Sequence, residues 1–133
     1  MAAALLRPYI FTEDAREQAA FYAAALQGEI VDVKTFGEMP GAAESMKDRV
    51  MHLQLQAAGQ LFYLADAESV ERGNGIDLTL EFGSDEETAR AFEALSEGGS
   101  VKMPLARMFW GTLFGRVEDR FGVSWQLATQ QQS

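Results

Sequence analysis

His52 is the only histidine in the chain. Its side chain is the one whose ordinary titration falls near neutrality, so general-base catalysis or metal ligation would begin there. Glu81 and Asp77 are the carboxylates that would pair with it and orient the ring for proton transfer. The sequence has no cysteine, which excludes thiolate nucleophiles, disulfides and cysteine-based metal centres. A different chemistry is suggested by the run from Trp110 to Leu127, which contains two Trp, two Phe and three Gly. There Trp110 and Phe114 stand beside Gly111 and Gly115, a setting in which rings can contact a ligand while the backbone bends. Arg116 and Asp119 would hold an anion or pair with each other. Trp125 falls on the apolar side of its strand by parity and is expected in the core.

These residues need a scaffold, and the sequence punctuates one. Leu6 to Thr12 reads as a strand, followed by a helix through Leu26 with capping chemistry in Thr12-Glu13-Asp14. Ala20, Phe21, Ala24 and Ala25 fall at helical spacing, and Gly28 is expected to take the left-handed cap. Strands are predicted at Glu29–Phe36, Arg49–Gln56 and Gln60–Ala65, the last two joined around Ala58-Gly59. Gly73-Asn74-Gly75 marks a linker. The order then recurs: a strand Ile76–Phe82, a helix opened by Ser84 with Glu87 three residues on, and an end at Gly98-Gly99. Asp85-Glu86-Glu87 suits the first turn of that helix by its charge. Short strands follow around Val101–Pro104, Leu113–Glu118 and Val123–Thr129, with Asp119-Arg120-Phe121-Gly122 as a turn.

Start and stop signals shared at an offset of about 70 residues indicate a duplicated β-α-β-β-β module. Module one spans about 5–66, a linker about 67–75, and module two about 76–129, within one domain by size. Along the strands, Met51, Leu53 and Leu55 alternate with His52, Gln54 and Gln56. Likewise the apolar residues of Ile76–Phe82 alternate with Asp77, Thr79 and Glu81, and Gln126 lies opposite in parity to Trp125. Each polar set faces either solvent or a pocket. The net charge of −9 and pI near 4.5 argue against nucleic acid and anionic membranes as partners. No stretch is long and apolar enough for a membrane span, and the expected address is cytoplasmic.

The runs Pro8-Tyr9-Ile10-Phe11, Phe21-Tyr22 with Gly28-Glu29, His52, Asp66 and the Trp110–Leu127 block cover nearly the whole chain. On them the sequence resembles the vicinal oxygen chelate superfamily, which includes glyoxalases, bleomycin-resistance proteins and ring-cleaving dioxygenases, and within it the PhnB-like branch. The resemblance implies an α+β fold: two tandem βαβββ modules whose mixed sheet curls around a cavity, helices on the outer face, in a homodimer. It also turns the polar strand faces inward. Arg7, Tyr9, Phe11, Gln54 and Tyr63 would then line the cavity with Asp77, Thr79, Trp110, Phe114 and Gln126.

Metal-dependent relatives place His and Glu ligands at four strand positions, which here carry Arg7, Tyr63, Asp77 and Gln126. Only Asp77 is an ordinary donor for a divalent transition metal, so no metal ligand and no cofactor is predicted, a divalent metal held by an unusual set being the disfavoured alternative. A methyltransferase label attaches to the branch. A Gly-rich turn between a strand and a helix, as a nucleotide-type cofactor site commonly requires, does not stand out. Three functions stay open: an enzyme acting on a small oxygenated or aromatic metabolite through His52 with Asp77 and Glu81, a protein that sequesters a small molecule with its rings, and a dimer with a vestigial pocket.

Overall fold

In the computed structural model, residues 3–131 are described. The chain divides into two compact units at Val70/Glu71. Unit one contains β1 (Tyr9–Thr12), α1 (Ala15–Ala25), β2 (Glu29–Thr35), β3 (Val50–Ala57) and β4 (Gln60–Asp66). Unit two repeats the order with β5 (Leu78–Phe82), α2 (Asp85–Ser96), β6 (Ser100–Arg107), β7 (Leu113–Glu118) and β8 (Ser124–Thr129). Each unit forms its own four-stranded sheet, ordered β1-β4-β3-β2 and β5-β8-β7-β6. In each the first and last strands run parallel and the remaining pairs antiparallel. The fold is therefore α+β with two tandem βαβββ modules, and neither sheet closes on itself.

Helix α1 is N-capped by Asp14, whose side chain accepts from the Glu17 N–H, and α2 by Ser84, which accepts from Glu87 N–H. Ser84 and Glu87 also meet through their side chains at 3.2 Å, in keeping with the spacing in the sequence. The buried stripe of α1 is Ala15, Gln18, Ala19, Tyr22 and Ala25. The expected stripe of Ala20, Phe21, Ala24 and Ala25 is rotated from this one, and Ala20 and Ala24 are exposed. An Ala-rich helix gives two nearly equivalent apolar faces, and the large Tyr22 ring decides which turns inward. Asp66, at the end of β4, accepts from the Ala15 and Val50 N–H groups at 2.7 Å each, pinning the start of α1 to the start of β3.

The turn after α1 also differs from expectation. Gln27, not Gly28, takes the left-handed conformation, with φ of 55°. Gly28 is required for another reason: a Cβ there would stand 2.0 Å from the Gln56 carbonyl oxygen. The first and fifth strands start later than predicted, leaving Leu6 and Ile76 93% and 82% exposed. β6 is longer than predicted and runs to Arg107 through two irregularities in its pairing with β7.

Register settles which side chains share a face, because directly paired residues point the same way. In unit one the helix side carries Ile10, Leu53, Leu55, Phe62 and Leu64, all buried. In unit two it carries Val117, Trp125 and Leu127, all buried beside Ala91 and Leu95 of α2. Trp125 is thus a core residue, as parity predicts. Gly115 belongs to this side as well: a Cβ would come within 2.6 Å of the Phe92 ring of α2. Close helix–sheet packing, not flexibility beside a pocket, explains that glycine.

Candidate functional sites on the open sheet faces

On the face of the first sheet away from α1, Tyr9 pairs with Tyr63, Tyr63 with Gln54, Gln54 with Asp32, and His52 with Lys34. Four rings gather there. Tyr9 lies 5.1 Å from Phe11, 5.6 Å from His52 and 5.8 Å from Tyr63 between centroids, and His52 lies 4.7 Å from Tyr63. The Tyr9 hydroxyl and His52 Nδ1 are 3.2 Å apart, the phenol donating when that nitrogen is unprotonated. Nε2 has no partner among the described residues, so it is the nitrogen available to a ligand. Tyr9 and Phe11 are 44% and 54% exposed, unlike the buried apolar residues on the other side of the same strands. Arg7 precedes Tyr9 by two residues, outside β1, and strand parity carried back from Tyr9 assigns it to the same face.

The second sheet's open face is charged and hydrogen-bonded. Thr79 pairs with Gln126 and Gln126 with Arg116. Arg116 Nε donates to Asp77 Oδ2 at 2.8 Å, and Gln126 Nε2 donates to the same oxygen at 3.1 Å. Thr79 Oγ1 lies 3.4 Å from Gln126 Oε1. The Arg116 hydrogen bond holds the Asp77 carboxyl below its ordinary range, outweighing partial burial that pushes the other way. Arg116 gains correspondingly and stays cationic. Arg116 therefore chooses Asp77, not Asp119, and Asp77 is committed to it and to Gln126 rather than standing ready to orient a histidine.

Asp119 serves the turn. Its Oδ1 accepts from Phe121 and Val123 N–H, and its Oδ2 from the Trp125 indole at 2.9 Å. Glu81 lies on the open face by register, exposed, opposite Ala128. Its backbone carbonyl accepts from Gln130 Nε2. His52 and Glu81 belong to different units. Phe114 shares the open face, opposite Ala128 and Ala106. It makes an edge contact with Trp110 at 6.4 Å, and Trp110 in turn meets Phe109 at 4.8 Å. This tip between β6 and β7 uses Gly111 at φ of 101°. Arg107 fastens it, donating to the Gly111 carbonyl at 2.7 Å and to Asp85 at 2.8 Å.

A hollow of about 400 Å³ lies elsewhere in unit one, lined by Gln27, Gly28, Glu29 and the β3–β4 turn. It carries none of the predicted site residues.

The metal positions of the superfamily can be tested against this geometry. Asp77, the single carboxylate of the set, is already ion-paired with the Arg116 guanidinium at 2.8 Å. No cluster of three or more His, Cys, Asp or Glu suited to a metal occurs among the described residues. Arg7, Tyr63, Asp77 and Gln126 do not fit a divalent metal.

Sequence reasoning brought forward Asp77 and Gln126 but missed Arg116 as their partner. The available signal was the alternation of Phe114, Arg116 and Glu118 with Gly115 and Val117, which places Arg116 on the same face as Gln126.

A profile of the family described as 3-demethylubiquinone-9 3-methyltransferase matches residues 4–128. Protein YjdN of Escherichia coli (strain K12) is 28% identical, the alignment spanning 96% of each chain. Among solved structures, protein PA1353 from Pseudomonas aeruginosa is 35% identical with a TM-score of 0.83, covering 98% of this chain and 100% of its own. The PhnB protein from Bacillus cereus, described by the same methyltransferase name, is 25% identical with a TM-score of 0.76, covering 96% and 100%.

Proposed function

This chain belongs to the 3-demethylubiquinone-9 3-methyltransferase family, the PhnB-like branch of the vicinal oxygen chelate superfamily, and from that premise we propose that it binds a small organic molecule against the open face of its first sheet. One observation carries the reading: Tyr9, Phe11, His52 and Tyr63 form a contiguous ring cluster on a face opposite the core. Rings partly exposed in a group, with a few polar groups beside them, are the usual make-up of a small-molecule site. Gln54 supplies an amide in the middle of the face, and His52 Nε2 supplies a hydrogen-bonding or proton-accepting nitrogen. The second sheet's open face, taken by itself, offers Phe114, Trp110, Thr79 and Gln126 as proposed ligand contacts of its own.

In the enzymatic form of this reading, His52 is the general base in the tautomer whose Nδ1–H donates to the Tyr9 hydroxyl oxygen, which leaves Nε2 to take the proton; Glu81, on the second unit's own open face, is a separate proton-transfer candidate. The runner-up is a sequestering protein of the bleomycin-resistance kind, which needs the rings and no turnover; the clustering of rings itself favours it. Neither form uses methyl transfer or a metal in the glyoxalase manner. The protein is taken to be a cytoplasmic homodimer on the strength of its family; no helix among the described residues is long and apolar enough to cross a membrane.

Native mass spectrometry of the gently purified protein, with a denatured control, tests the reading in one measurement, reporting subunit number, metal and retained organic mass. We expect a dimer that carries an organic molecule, and Tyr9→Ala and Tyr63→Ala variants that lose it. His52→Ala then separates the two forms: in the enzyme it abolishes turnover while much of the ligand affinity, carried by Tyr9, Phe11 and Tyr63, remains. Absence of any retained mass, together with no thermal shift from a panel of aromatic acids and amides, would sink the proposal.

A further inference from the structure

We propose that the first sheet's open face takes a planar molecule bearing a carboxylate or comparable oxyanion, with its ring on Tyr9 and Tyr63 and its negative group on Arg7. The inference rests on the aromatic-face reading above and adds the charge class of the ligand.

The two modules correspond position by position. Tyr9 opposite Tyr63 corresponds to Thr79 opposite Gln126, and Gln54 opposite Tyr63 corresponds to Arg116 opposite Gln126. Two residues before Tyr9 stands Arg7, and two before Thr79 stands Asp77. In the second module the charge at this position is answered from within the sheet, since Arg116 reaches Asp77 at 2.8 Å. In the first module the sign is reversed and the answering charge is missing, because the position equivalent to Arg116 holds the neutral Gln54. The duplicated frame thus places a cation where its sister places an anion, and it supplies no counterion.

The other cations of unit one are all engaged. Lys34 is paired with Asp32 at 3.4 Å, Lys47 with Glu44 at 2.8 Å, and Arg49 with Asp66 at 3.7 Å. Arg16 donates to the Asp48 carbonyl. Arg7 has no hydrogen bond or ion pair among the described residues, yet it is half-buried. A partly desolvated guanidinium gains most from an oxyanion that it can grip with two N–H groups. By strand rise it sits about 7 Å along the face from Tyr9, a separation matched by an aromatic acid whose ring rests on the tyrosines. The net charge of −9 repels anions at long range, so selectivity for them must come from such a local contact.

The test uses two probes of equal shape, 2-naphthoate and the neutral 2-naphthamide, each titrated calorimetrically into the full-length protein. We expect the wild type to bind naphthoate about tenfold more tightly than naphthamide. Arg7→Gln should erase that preference without moving the melting temperature, because Arg7 supports nothing else in the described structure. Arg7→Lys should retain part of it, and Tyr9→Ala should weaken both probes alike. Equal affinity of the wild type for the two probes, or a preference that survives Arg7→Gln, would overturn the anion assignment while leaving the aromatic face intact. If neither probe binds the wild type, the aromatic-face reading falls and this inference falls with it.

Discussion

Two aspartates show how differently one residue type can be used. Asp119 is buried and accepts three hydrogen bonds. Asparagine there would keep one acceptor oxygen and turn an N–H₂ toward donors. Asp119→Asn should therefore destabilise the protein by about 2 kcal/mol, read by urea unfolding followed through Trp125 fluorescence. Asp77 instead faces Arg116 with its carboxyl held below the ordinary range. Its folded form binds a proton less readily than its unfolded form, so its contribution is fully present above the ordinary carboxylate range. That contribution is lost as pH falls through the lowered folded value. Stability measured from pH 6 down to pH 2 should fall less steeply in Asp77→Asn than in the wild type. A slope unchanged by the substitution would show that the Arg116 contact has no energetic weight.

At the scale of elements, helix starts and close backbone approaches hold the modules in shape. The Ser84 cap on α2 accepts from Glu87 N–H at 3.2 Å, so Ser84→Ala should cost about 1 kcal/mol. Gly28→Ala should cost more, about 3 kcal/mol, because the new methyl meets the Gln56 carbonyl and the Ala57 backbone, neither of which can rotate away. Gly115→Ala meets the Phe92 ring instead. A ring can shift, so its cost should lie between those of the other two variants. Thermal denaturation of the three ranks them directly. The capping residue was readable from spacing alone, since Ser84 and Glu87 are near in sequence. Gly28 and Gly115 were visible only as glycines, because the atoms that exclude a Cβ come from Gln56 and Phe92, far along the chain.

For the molecule as a whole, duplication explains the architecture and divergence explains the chemistry. The caps Asp14 and Ser84 and the strand ends Asp66 and Thr129 occupy matching places. Asp66 anchors the first residue of α1, while Thr129 reaches both Asp85 and Thr88 of α2 at 2.7 Å. The helix-facing sides kept this common plan while the open faces parted, one becoming aromatic and the other ionic. The surplus of acidic groups also governs behaviour in bulk. With a net charge of −9 at neutrality and a pI near 4.5, solubility should pass through a minimum about there and recover on either side. Turbidity against pH checks this, and a minimum displaced by more than a unit would contradict it.

The sequence by itself determined the tandem modules, most strand centres, both helices, the core position of Trp125 and the polar parity of His52, Gln54, Thr79 and Gln126. All of these follow from period, capping spacing and turn residues, which act over a few neighbouring positions. Only the tertiary structure decided that Arg116 takes Asp77 rather than Asp119, that Tyr9 takes His52, and that Gln27 rather than Gly28 carries the left-handed turn. Such choices depend on register between strands distant in sequence, where a slip of one residue turns every side chain to the opposite face.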